Sequence, residues 1–305
     1  MIFQLLLTLL KKMKKMLNEN KKHWALVLSG GGAKGLAHIG FLIGFEEAGF
    51  PKPSLVAGTS MGAIVGGLYA CGMSALELEH FILEDFVVTD YLDSFAFKVN
   101  GPFGKVIQTG QALASLAGRP GVDSGQRALE LLEKLTKGKS FEETEIPFRC
   151  NAVDLISGQE IIFSTGSVAK AIRASMSVPL FFEPFIYEGM CLVDGGLLDN
   201  MPVAIARHEG YKQVLALNVI NFTPSSLENV KYGPQVIFRS LECALNAQGR
   251  EKKTPADLTI NVKVEPSVFS FFKQKELIEL GKMEFHKNLN ALEVFFDAHT
   301  KADHE

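Results

Sequence analysis

Gly58-Thr59-Ser60-Met61-Gly62 is the stretch on which the reading of this chain turns. It follows the short apolar run Leu55-Val56-Ala57 and precedes the helix-like run Ala63-Ile64-Val65-Gly66-Gly67-Leu68-Tyr69-Ala70. A serine with glycines two residues either side, set between strand and helix, fits a strained turn that lifts a hydroxyl above a sheet edge. It fits an ordinary strand-to-helix turn equally well. G-x-S-x-G also arises readily by chance in a chain with 28 glycines. The flanking segments have to decide.

Upstream, residues 23–29 read as a buried strand that runs into Gly30-Gly31-Gly32-Ala33-Lys34-Gly35. A helical pattern covers 36–48 and closes at Gly49, with Pro51 and Pro53 beyond it as breakers. Strand, glycine turn and helix thus occur twice in succession, the grammar of a parallel sheet wrapped by helices. Further strands are expected at 148–153, 159–163, 190–193, 213–219 and 258–264. Residues 75–140 read as helical and irregular, with Phe81, Phe86, Phe95, Phe97 and Phe103. From 275 to 298 the apolar residues recur at helical spacing, which predicts one long closing helix lying on the sheet. Residues 221–235 read as a loop, so 23–305 is expected to form a single domain.

The chain has 305 residues, 47% of them hydrophobic and 21% charged, a globular composition with material for a sizeable core. A formal charge of −3 gives no sign of nucleic-acid binding. Its distribution is uneven: residues 1–22 carry six lysines and one glutamate, a local +5, and the remainder carries 25 basic against 33 acidic residues, or −8. In this leader the lysines follow the apolar run, and no small-residue cleavage site comes after, unlike a secretory signal. The run from Ile2 to Leu10 is also far shorter than the ~20 residues of a spanning helix. Peripheral contact of 1–22 with an anionic membrane is one reading, and a frayed or packed extension is the other. Cys71, Cys150, Cys191 and Cys243 are dispersed and the histidines are not clustered, a pattern of reduced thiols in a cytoplasmic protein without a metal site.

Gly30–Gly35 also matches the G-x-G-x-x-G of dinucleotide-binding proteins, so a nicotinamide-dependent oxidoreductase must be weighed. That fold wants an acidic residue at the end of the second strand to hold a ribose, and here the strand ends in Gly58-Thr59-Ser60. Used chemically, the glycine amides can converge on a developing oxyanion beside a nucleophile. A nucleophilic serine needs a base. Asp194, in Cys191-Leu192-Val193-Asp194-Gly195-Gly196, ends a strand and precedes two glycines that leave its carboxylate accessible. His208 reads as a solvated helix-end residue and His38 as a packing or capping one, so neither clearly completes a triad.

Taken in order, Gly30–Gly35, Gly58–Gly62 and Asp194-Gly195-Gly196 resemble the patatin-like phospholipase family. Arg173-Ala174-Ser175-Met176-Ser177-Val178-Pro179 resembles that family's A-S-x-x-x-P block, and Asp194 through Pro202 its D-G-G…N-x-P block. The resemblance runs from about Ala25 to at least Asn218 and leaves the leader outside. It implies a three-layer α/β/α sandwich and a lipid acyl hydrolase that cleaves carboxylic esters of phospholipids or related lipids without metal or organic cofactor. It further implies Ser60 as nucleophile, Asp194 as base, and an oxyanion loop of Gly30, Gly31, Gly32, Lys34 and Gly35. Asp199 is a nearby acidic alternative, read as a loop-stabilising residue. A non-catalytic lipid-binding module on the same fold is the competing reading, disfavoured by the presence of both Ser60 and Asp194. The phenylalanine-rich stretches, including 180–185 and 269–272, could line an acyl groove, although most of the 23 phenylalanines are expected in the core.

Overall fold

The computed structural model describes residues 23–87, 90, 120–220, 226–231, 236–237, 239–240, 243–244, 254–263 and 271–297. The leader, Phe95, Phe97, Phe103 and Phe269, and most of the 221–235 loop lie outside these residues.

The first strand, β1 (Trp24–Leu28), is buried along its whole length. A parallel strand covered on both faces calls for such a continuous apolar run. A 3₁₀ turn at Gly32–Leu36 leads into α1 (Ala37–Glu47), then β2 (Leu55–Gly58) and α2 (Met61–Ala70). Helix α1 ends in a Schellman closure: Phe50 N–H reaches the Phe45 carbonyl and Gly49 N–H the Glu46 carbonyl, with Gly49 at φ 71°. The chain continues through α3 (Ala75–His80), a π turn at Phe81–Asp85, β3 (Gly121–Asp123), α4 (Gln126–Leu135), β4 (Phe148–Asp154) and β5 (Glu160–Phe163). There follow α5 (Val168–Ser175), β6 (Leu180–Phe182), β7 (Phe185–Tyr187), β8 (Met190–Asp194), α6 (Val203–His208), β9 (Gln213–Asn218) and β10 (Leu258–Asn261). Helices α7 (Gln274–Lys287) and α8 (Leu289–Asp297) close the chain.

Among the described residues, eight strands form one sheet in the order β10-β9-β1-β2-β4-β8-β7, with β5 also paired to β4. Strands β10, β9, β1, β2 and β4 run parallel, whereas β5, β8 and β7 join in antiparallel pairings. The alternation along β1 divides the interior. Trp24, Leu26 and Leu28 enter a large cluster with α1, α2, α5, α7 and α8, while Ala25 and Val27 enter a smaller one with α6. The result is an α/β/α arrangement with one thick and one thin helical layer.

Two expectations are corrected. The single closing helix is broken at Asn288, whose side-chain amide donates to the Glu284 carbonyl (2.8 Å). Its first part also packs on α1 rather than on the sheet. A methyl group at Gly40 would overlap the Ile278 carbonyl, and one at Gly281 the Ala37 carbonyl, so glycines on both helices permit the close crossing. Helix α8 alone returns to the sheet, where Phe295 and Phe296 pack 6.3 and 5.2 Å from the Trp24 ring. Strands β3, β6 and β7, three residues each, are too short to show a period in sequence. Strands β3 and β6 form a separate two-stranded sheet.

Candidate active site

The glycine loop and the serine turn leave adjacent strands at the same end of the sheet, because β1 and β2 are parallel with Leu28 level with Gly58. Gly58 is in turn level with Cys150 on β4, and Asp194 on antiparallel β8 is level with Ala152, two residues further on. Strand register therefore brings Asp194 up to Ser60 from the opposite chain direction. The Ser60 hydroxyl donates to the Asp194 carboxylate.

Ser60 stands at φ 55°, ψ −118°, outside the usual regions for a residue with a side chain, at a cost of order 1–3 kcal/mol. Several contacts hold it there. A methyl group at Gly62 would overlap the Leu28 carbonyl, so glycine lets the turn close onto β1. The Ser60 carbonyl accepts from Ile64 N–H (3.0 Å), opening α2, and the Ser60 amide donates to Ser175 Oγ (2.9 Å). Thr59 Oγ1 donates to Asn151 Oδ1 (2.7 Å), and Asn151 Nδ2 donates to the Asp199 carbonyl (2.8 Å). The turn is thus tied to both β4 and the segment after Asp194.

Asp194 is only 7% exposed. Its Oδ1 accepts from Gly196 N–H (2.7 Å), and its own amide donates to the Ser177 carbonyl (3.0 Å). Burial pushes its carboxyl up to about 6, partly offset by the hydrogen bonds from Ser60 and Gly196. Asp199 is engaged through its Oδ1 with Met201 N–H (3.1 Å) and through its carbonyl with Thr59 and Asn151.

The glycine loop lies against the serine: a methyl group at Gly30 would overlap Asn200 Oδ1 and come within 3.2 Å of Ser60 Cβ. The Gly30 amide donates to the Asn200 carbonyl (3.0 Å) and the Lys34 amide to the Gly31 carbonyl (3.2 Å). Gly35 packs on Met61, the residue after Ser60. His38 is fully buried, with Nε2 donating to the Ser29 carbonyl (2.9 Å), and burial pushes its imidazole down to about 4. His208 is exposed at the end of α6.

Beside Ser60 lies a cavity of about 180 Å³ walled by the 3₁₀ turn, α2, the α3–π turn, α4, the 176–182 segment and Phe271. Among the described residues, Ser60 contributes the one polar side chain of its lining. Met61, Ile64, Val65 and Leu68 extend it along α2, so from Ser60 it runs roughly 12 Å at 1.5 Å per helical residue. Phe81, Phe86, Phe181, Phe182 and Phe271 line it, whereas Phe272 is exposed. Among the described residues there is no cluster of histidine, cysteine and carboxylates suited to a metal, and no helix long and apolar enough to cross a membrane.

Ser175, Asn151 and Asn200 carry no chemical signal of their own in sequence. Ser175 and Asn200 fall within blocks already singled out, but their contacts join residues 115 and 170 positions apart.

The family model of the patatin-like phospholipases matches residues 26–207. The chain is 32% identical over 197 residues to lysophospholipase NTE1 of Meyerozyma guilliermondii, covering 64% of this chain and 12% of that relative. It is 32% identical over 180 residues to an uncharacterised NTE family protein of Mycobacterium tuberculosis, covering 59% and 44%. With patatin-like phospholipase domain-containing protein 6 of Mus musculus it shares 31% over 197 residues, covering 64% and 13%. It therefore spans less than half the length of these relatives. Among solved structures, VipD from Legionella pneumophila has the same fold, with a TM-score of 0.51 at 18% identity over 91% of this chain and 67% of that one. The matched segment contains the glycine loop, the Ser60 turn and Asp194, and with more than half of its length covered the chain belongs to the patatin-like phospholipase family.

Proposed function

We propose that this chain is a serine esterase that hydrolyses carboxylic ester bonds of phospholipids or related acyl lipids, with Ser60 as nucleophile and Asp194 as its base. One observation carries the reading: among the described residues, the sole polar side chain lining a long apolar cavity is a serine hydroxyl bonded to a buried carboxylate. The names of the relatives, lysophospholipase and patatin-like phospholipase, support a lipid substrate.

The acyl chain lies along α2 with its ester carbonyl at Ser60. Ser60 Oγ attacks that carbon as its proton passes to Asp194, so no free alkoxide forms. A carboxyl near 6 is a better base than an ordinary aspartate and is still ionised at neutral pH. The negative oxygen of the tetrahedral centre is held by backbone amides of the glycine loop. Gly31 and Gly32 supply these amides, since those of Gly30 and Lys34 already have acceptors, and Gly30, Lys34 and Gly35 shape the loop. Collapse expels the alcohol, which takes the proton from Asp194. Water then attacks the acyl-enzyme, passes a proton to Asp194, and releases the fatty acid as Ser60 recovers its hydroxyl.

The basic leader would add attraction to an anionic bilayer of about 1 kcal/mol per lysine near the surface, weakened by salt. The deciding experiment compares wild type, Ser60→Ala and Asp194→Asn on a lysophospholipid and on a short soluble ester, together with fluorophosphonate labelling. Both variants should be folded and inactive, and Ser60→Ala unlabelled. A folded Ser60→Ala protein with near wild-type turnover would sink the reading.

A further inference from the structure

Residues 173–177 touch both members of the proposed pair. The Ser60 amide donates to Ser175 Oγ (2.9 Å), and the Asp194 amide donates to the Ser177 carbonyl (3.0 Å). Both ends of the Ser60–Asp194 hydrogen bond are therefore hung from positions two residues apart in one stretch of chain.

That stretch is itself fastened. Arg173 is 1% exposed and donates from Nη1 to Ser177 Oγ (2.5 Å), from Nε to the Gly125 carbonyl (3.1 Å) and from Nη2 to the Ser124 carbonyl (2.7 Å). Its guanidinium also lies 5.1 Å from the centre of the Phe182 ring. Gly125 precedes α4, which supplies one wall of the cavity, and Phe182 supplies part of another. A buried arginine thus joins the cavity wall to the segment that holds Ser60 and Asp194.

We propose that residues 173–177 set the separation of Ser60 and Asp194, with Ser175 as the positioning residue for the nucleophile. The Ser60 amide lies at the start of α2, where no intrahelical acceptor exists for it. Ser175 Oγ is the buried acceptor that holds this amide while Ser60 stays at φ 55°. The direction of a side chain follows its backbone torsions, so this bond aims Ser60 Oγ at Asp194. Because the amide is engaged by Ser175, its role is orientation and not stabilisation of the oxyanion.

The inference rests on the nucleophile assignment above, and the test separates the two. In the full chain, kcat and KM for a short soluble ester are measured for wild type, Ser175→Ala, Ser175→Thr and Ser60→Ala. Competent sites are counted by fluorophosphonate titration run to completion. Ser175→Ala should lower kcat per titrated site by roughly 10- to 100-fold, the scale of a small misplacement of a reacting group, with KM unchanged. Ser175→Thr, which keeps the hydroxyl, should recover most of the loss. If Ser175→Ala does not fold, Ser175→Cys takes its place, with a poorer acceptor of similar size and the same expected direction. A wild-type kcat per titrated site in the Ala or Cys variant, with only fewer competent sites, overturns the positioning role. Turnover by Ser60→Ala would instead overturn the nucleophile assignment itself.

Discussion

Replacing Asp194 with asparagine should abolish turnover and yet make the fold more stable at neutral pH. In the folded chain burial raises the carboxyl from its ordinary 3.8 to about 6. At about 1.4 kcal/mol per pH unit, keeping this group ionised costs the fold on the order of 3 kcal/mol. The sign follows from proton binding. Below about pH 4 both folded and unfolded chains are protonated at this group, and nothing is lost. Between about 4 and 6 the unfolded chain ionises first, so stability falls as pH rises, and above about 6 the full cost applies. Asparagine carries no charge and keeps an oxygen for the Gly196 amide. Asp194→Asn should therefore gain up to about 3 kcal/mol at pH 7.5, or roughly 5 °C in melting temperature, and nothing near pH 4. His38 acts in the opposite sense: with its imidazole lowered from 6.5 to about 4 by burial, it contributes stability above 6.5 that is lost as pH falls toward 4. That contribution is common to both proteins and cancels in their difference. Thermal melts of the pair from pH 4 to 8, followed by circular dichroism, give the difference directly. In parallel, kcat/KM of the wild type on a soluble ester should rise through an acid limb near pH 6 as Asp194 ionises. Equal stability across the range, or a gain by asparagine that grows toward low pH, refutes the strained-carboxylate argument.

Gly30→Ala should cost at least about 100-fold in kcat, since the added methyl meets Asn200 Oδ1 and crowds Ser60 Cβ, and small displacements at a reacting centre have effects of that size. Steady-state kinetics alongside a melting curve will show whether the loss exceeds what an overpacking penalty of about 1–3 kcal/mol does to folding. Ile64→Phe, one helical turn beyond Ser60 on the cavity wall, should shorten the accepted acyl chain. A homologous series of esters should show kcat/KM for long chains falling roughly tenfold or more per excluded methylene, with the shortest esters spared. Uniform loss across the series would mean that the chain does not lie along α2.

Much of the fold is local, and that part is legible in residue type and spacing. Continuous apolar runs marked β1, β2 and residues 214–217 of β9, because a strand covered on both faces needs apolar residues through its buried span. Gly49 marked the end of α1, since the closure there needs a positive φ. The glycine-flanked Ser60 and the glycines after Asp194 were legible because close backbone approach leaves a trace in residue type. How these pieces meet one another depends on long-range packing that no local pattern records. Asn288 broke the closing helix although the apolar spacing continues through it, because its side chain competes for the Glu284 carbonyl. Lys275 to Ala298 gave no sign that its first part would lie on α1, a partner chosen by complementary glycines more than 230 positions away. Nor could spacing show that Ser60, Ser175 and Asp194 meet. That meeting depends on the register of β8 against β4, and on a hydrogen bond between a backbone amide and a hydroxyl 115 residues distant, a contact for which many residue types at position 60 would serve equally. The displaced ionisation of Asp194 belongs to the same class, because it comes from the layers of side chains that exclude water around a carboxylate followed in sequence by two glycines.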